Sequence, residues 1–186
     1  MVSLHTNNYI VSVKKVRDFM FGDLEKTLSL VNTPDRAPNF LLALALCCYT
    51  EYWGQFLIGK KNRLHGYSRK CFNEFFKRLG PRYEYLIRYN HNKHDCIKCD
   101  HNIYNEIRCG LAHAYMIDGN AKIVIEGRDE DCGILYDSTI RTYTFIVTRY
   151  FEDFKIAVNN FIHGLESGNE DFAKFRDVIE SKPVLL

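Results

Sequence analysis

Apolar positions recur at helical spacing along most of this chain. Val16, Phe19, Met20, Leu24, Leu28 and Val31 predict a first helix over 13–31, weakened by Gly22 and ended by Asn32-Thr33-Pro34. Pro38 sits well in the first turn of a second helix running to about Ile58. That segment is apolar on nearly every side until Glu51, so it is expected to be the most buried. Glu51 then stands either at an exposed end or as a polar group held near a site. Gly59 to Tyr67 reads as a basic loop. Ser68 is placed to cap a short helix to Leu79, stopped by Gly80-Pro81, and Arg82 to Tyr89 predicts a further turn or two.

Residues 90–99 are polar and irregular, and Asp100 is a suitable cap for a helix reaching about Met116. Lys122 to Glu126 is β-branched, with Gly133 to Tyr136 as its expected hairpin partner. A long helix is predicted from Thr142 to Leu165, with Tyr143, Val147, Tyr150, Phe154, Val158, Phe161 and Leu165 as its apolar stripe. Asn169 is the expected cap of a last helix over 170–179. There is no internal repeat, low-complexity segment or interdomain linker. The pattern predicts one mainly α domain over 1–186, a helical bundle with a small inserted β-hairpin around 121–136.

Composition adds a charge asymmetry. The 186 residues carry a formal net charge of only +2, yet 60–93 holds ten Lys or Arg against two acids. Tyr67, Phe72, Phe75, Phe76, Tyr83, Tyr85 and Tyr89 are interleaved with those cations. Such a segment suits a phosphate backbone tracked by cations with rings stacked on bases. Its alternative is a solvated basic face over core aromatics. Lys60, Lys61, Arg63, Arg69 and Lys70 are the candidate nucleic-acid contacts. Seven cysteines and an N-terminus without a basic-then-apolar leader point to a reducing cytoplasm. The apolar run Phe40–Cys48 is too short to span a bilayer, so no membrane is expected.

The candidate chemistry lies in I-R-C-G-L-A-H-A-Y, residues 107–115. Arg108 supplies a permanent cation whose fork matches phosphate oxygens, and His113 a group that titrates near neutral pH. Arg108, His113 and Tyr115 resemble the R-x(4–6)-H signature, with its frequent following tyrosine, of the HEPN family (higher eukaryote and prokaryote nucleotide-binding domains). Cys109 departs from the polar residue, often asparagine, that this family usually places after the arginine. The resemblance implies a metal-independent endoribonuclease acting as a homodimer on RNA, a toxin or defence protein with a possible antitoxin partner. It also implies that His113 handles protons, Arg108 stabilises phosphate, and Tyr115 assists or is modified to silence the enzyme. The other reading is a HEPN-like helical module without catalysis that binds nucleic acid, nucleotide or a protein.

On a straight α-helix Arg108 and His113 lie about 140° apart. The arginine must wrap, the helix must distort near Gly110, or a second subunit must complete the site. Glu106 and Glu51 are candidates for orienting Arg108. His94, Cys96, Cys99 and His101 are candidate zinc ligands in one tight loop; no other cofactor is expected. No Walker A, Rossmann glycine fingerprint, G-x-S-x-G or H-E-x-x-H occurs, which sets aside the reactions those motifs serve.

Overall fold

A computed structural model describes residues 4–30, 39–59, 66–92, 103–114, 121–127 and 132–181. They are mainly helical, with one small sheet. Helix α1 (Leu4–Ser29) buries Val13, Val16, Met20 and Leu24, the spacing predicted for its inner face. Phe19, counted in that stripe, is instead 70% exposed, because it falls between the rows that face the bundle. Helix α2 (Asn39–Ile58) is central and touches α1, α3, α6 and α7. By length and composition it is the described helix apolar enough to cross a membrane. Part of its apolar surface serves packing, since Leu42, Leu46, Trp53 and Phe56 are buried, while Phe40 and Leu41 are exposed.

Among the described residues the most extensive helix–helix contact joins α2 to α3 (Tyr67–Arg78). Gly54 makes it possible, since a Cβ there would stand 1.8 Å from the carbonyl oxygen of Cys71. Gly66, in the left-handed conformation at φ 79°, precedes α3, so Ser68 lies inside the helix rather than capping it. Helix α4 (Pro81–Asn92) is a full twelve residues, longer than the pattern suggested. The aromatics of this basic stretch are largely core: Phe72, Phe75, Phe76 and Tyr83 are at most 2% exposed. Their side chains are therefore unavailable for base stacking, whereas Tyr85 is 61% exposed.

The sheet corrects the predicted hairpin. β1 (Ala121–Val124) and β2 (Ile134–Asp137) do not pair with each other; both flank β3 (Thr142–Ile146), in the order β1-β3-β2. β1 runs parallel to β3, pairing Ala121 with Tyr143, and β2 runs antiparallel, pairing Leu135 with Thr144. The true hairpin is β2–β3. Its turn is closed by Asp137, whose carboxylate accepts from the Thr139 and Ile140 amides. Thr142–Ile146 fits helical and strand spacing alike. Its Tyr143, Phe145 and outward Thr142, Thr144 alternate as a strand requires, so α6 (Val147–Ser167) begins five residues later than expected.

The whole predicted stripe from Tyr143 to Leu165 is nevertheless buried, within a single chain. A second copy is not needed to cover it. The last helix, α7 (Phe172–Glu180), is capped by Asp171, which accepts from the Ala173 and Lys174 amides, and not by Asn169. Asn169 instead gives its amide to the Gly164 carbonyl at the end of α6.

A polar knot ties α4, α6 and the start of β2 together. The Tyr83 hydroxyl donates to Asp153 at 2.5 Å and accepts from the Gly133 amide at 2.8 Å. Arg149 lies 3.3 Å from the same carboxylate. Burial and the neighbouring Asp153 push the Tyr83 hydroxyl far above the tyrosine range, so it remains a donor. Tyr83→Phe is expected to cost about 1–3 kcal/mol, because it strands the buried Gly133 amide and takes one donor from Asp153, which keeps Arg149. Urea denaturation of the two proteins measures it; equal midpoints would mean the knot contributes nothing.

Candidate functional site

The segment that carries Arg108 is not an ordinary α-helix. Tyr104–Cys109 forms a π-helix, followed by α5 (Gly110–Ala114). The Gly110 amide reaches back five residues to the Asn105 carbonyl. An i→i+5 turn advances less per residue than an α-turn. The π-turns lie on Tyr104–Cys109, so of the step from Arg108 to His113 only the first residue falls inside them, and the remainder runs through α5. A backbone distortion next to Gly110 is thus present, on the Tyr104 side rather than between Arg108 and His113.

Arg108 is held on two sides. Its terminal nitrogen lies 2.7 Å from Glu51 of α2, and its guanidinium sits 5.3 Å from the ring centre of Tyr104, one turn back. The two charged side chains are 19% and 13% exposed. Glu51 is thus neither an exposed helix end nor a stray acid: it is the partner of Arg108. Burial is the largest single influence and would lower the guanidinium, but Glu51, Tyr104 and Cys48 together outweigh it, and Arg108 is held above its ordinary value and permanently charged. Its Nε is buried and finds no hydrogen-bond partner among the described residues.

Three thiols adjoin the pair in sequence and packing. Cys47 and Cys48 lie on the turn of α2 before Glu51, and Cys109 follows Arg108. Burial pushes the Cys47 and Cys48 thiols up, with Arg108 only partly opposing it, so neither is activated as a thiolate. Burial likewise raises the Tyr104 hydroxyl.

The remaining candidates fall variously. His113 lies on α5, but its side chain, like Tyr115 altogether, is outside the described residues. So are Lys60, Lys61 and Arg63, and the zinc candidates His94, Cys96, Cys99 and His101. Among the described residues no group of three or more His, Cys, Asp or Glu is placed to hold a metal. Arg69 and Lys70 occupy the first turn of α3, half-buried and exposed respectively. Further along α3, Lys77 pairs with Glu74 and Arg78 with Glu170, each at 2.6 Å, which neutralises that part of the basic stretch.

Two features escaped the sequence reading. One is the Tyr83–Asp153–Arg149 knot. The other is an open groove of about 450 Å³ on the outer sheet face, lined by Lys122, Leu135, Asp137, Thr142 and Thr144. Asp153 interrupting the apolar stripe of α6 was the available signal for the first; the second depends on the parallel pairing that sets Lys122 beside Thr144. Comparison of the chain with protein-family models, with curated proteins and with solved structures finds no match.

Proposed function

We propose that this chain is a metal-independent endoribonuclease of the HEPN type, with Arg108 and His113 as its reacting pair. The observation that carries the reading is the setting of Arg108, which lies in a π-helix at Tyr104–Cys109 and is held there by Glu51 and Tyr104. π-Turns inside helices are frequent at functional sites. In the reaction the ribose 2′-oxygen attacks the adjacent phosphorus, and the bond from phosphorus to the 5′-oxygen breaks. The products are a 2′,3′-cyclic phosphate and a 5′-hydroxyl. His113 takes the 2′-OH proton or delivers one to the 5′-oxygen, and Arg108 offsets the charge that builds on the phosphate. Tyr115 serves as a hydrogen-bonding helper or a silencing site. The protein acts in the cytoplasm as a homodimer, with a toxin or defence role and an antitoxin as possible partner. Zinc at His94, Cys96, Cys99 and His101, if bound, pins the preceding loop and takes no part in cleavage.

The test is incubation with structured and unstructured RNAs in EDTA. Cleavage with 2′,3′-cyclic ends is expected; dependence on added divalent metal would remove the mechanism.

One observation favours a second reading, the HEPN-like module without catalysis. An arginine already paired with a carboxylate, beside Cys109 rather than a polar residue, is also what a purely structural position would hold. In that case the chain binds nucleic acid, nucleotide or a protein and leaves RNA intact.

Under either reading Lys60, Lys61, Arg63, Arg69 and Lys70 are the proposed backbone contacts. Replacing all five with Gln is expected to weaken RNA binding and to flatten its salt dependence by roughly 0.7 per lost phosphate contact. Titrations at three salt concentrations measure this. An unchanged slope would make the segment ordinary solvated surface.

A further inference from the structure

We propose that Glu51 is a positioning residue for RNA, acting through Arg108; the inference rests on the reading of Arg108 as a phosphate contact. Glu51 comes from α2 and Arg108 from the π-helix, so their 2.7 Å contact sets the arginine against an element remote in sequence. The Tyr104 ring at 5.3 Å holds one face of the guanidinium. An arginine stem has wide rotamer freedom, and a phosphate alone must order it on binding. Held at one terminal nitrogen, stacked on one face and with Nε buried, the Arg108 fork is ordered before RNA arrives. That arrangement also cancels most of its charge. Glu51 therefore trades RNA affinity for geometry: it weakens attraction to the phosphate in the ground state and fixes the donor where charge develops.

This predicts a crossed effect that a merely structural acid would not give. Glu51→Gln removes the carboxylate charge and keeps the size. In protein shown to be folded by circular dichroism, the single-turnover rate at saturating RNA should fall roughly 10–100-fold. The same variant should bind a non-cleavable 2′-O-methyl RNA at least as tightly as wild type, with a salt slope steeper by about 0.7. Glu51→Asp, which keeps the charge, should recover part of the rate. In an Arg108→Ala background Glu51→Gln should change neither rate nor affinity, because the acid acts through the arginine.

A wild-type rate in Glu51→Gln overturns the proposal, as does an equal effect with and without Arg108. If wild type binds RNA but leaves it intact, the nuclease reading fails on its own. The affinity half of the cycle then decides the role of Glu51: tightening that depends on Arg108 supports it, and unchanged affinity overturns it. Absence of RNA binding by wild type overturns both.

Discussion

Gly54→Ala is expected to destabilise this protein by about 4 kcal/mol or more, against the direction that helix propensity predicts. Alanine is favoured over glycine in a helix interior by roughly 1 kcal/mol. At Gly54 that gain is overwhelmed. The new Cβ would lie 1.8 Å from the Cys71 carbonyl oxygen and 2.4 Å from its carbon, and both are backbone atoms that no rotamer change can move. Helix α3 must slide off α2, opening the core around Trp53 and Phe75, whose rings are 6.2 Å apart. For a chain of this size the loss corresponds to a melting point lower by roughly 8–16 °C. Gly22→Ala provides the contrast: a Cβ added there on α1 would meet no described atom within 4 Å, so propensity acts alone and stability should rise by roughly 0.5–1 kcal/mol. Thermal melts of both variants check the pair. A Gly54→Ala protein as stable as wild type would contradict the α2–α3 crossing.

Arg108→Ala and His113→Ala are each expected to reduce RNA cleavage by at least about 100-fold, but they should differ in stability. Removing Arg108 leaves Glu51 unpaired at 13% exposure. A fully buried pair broken in this way costs roughly 3–5 kcal/mol; the residual exposure here reduces that to about 1–3 kcal/mol. Arg108→Lys should recover much of the stability and little of the cleavage, since it restores a cation near Glu51 without the planar fork. Parallel rate and denaturation measurements on the three variants separate the roles. Loss of stability with full cleavage in Arg108→Ala would make the arginine a structural ion pair only.

The helices were legible because each buries a stripe with a local period. The α6 stripe from Val147 to Leu165 and the inner face of α1 follow directly from spacing, and Gly80-Pro81 marks a real break between α3 and α4. Strand pairing was less legible. Nothing local tells Lys122–Val124 that its partner is Thr144 and not Leu135, because the choice is made by the parallel register with β3 and by Thr148, whose hydroxyl and amide both donate to the Ile125 carbonyl. Caps were missed by a residue or two for a related reason: Asn169 and Asp171 are both good capping types, and the packing of the α6–α7 turn selects the second.

The site was legible in its residue types and not in its geometry. Glu51 stood out as an acid in an apolar helix, and Arg108 as a cation in an apolar frame. That they meet is a consequence of how α2 packs against the π-helix. The π-helix itself has no local marker in the sequence. The aromatics of the basic stretch show the opposite failure. Their interleaving with lysine and arginine suggested stacking on bases, but Phe72, Phe75 and Phe76 recur at helical spacing and are drawn into the core by the α2–α3 contact.

The most direct measurement compares wild type with His113→Ala on a single radiolabelled RNA, in EDTA, with end-group analysis of the products. Wild type is expected to yield fragments with 2′,3′-cyclic phosphate ends and a rate that follows one ionisation near the histidine range, while His113→Ala leaves the RNA intact. Cleavage by His113→Ala at the wild-type rate, or an intact substrate with the wild-type protein, would contradict the account.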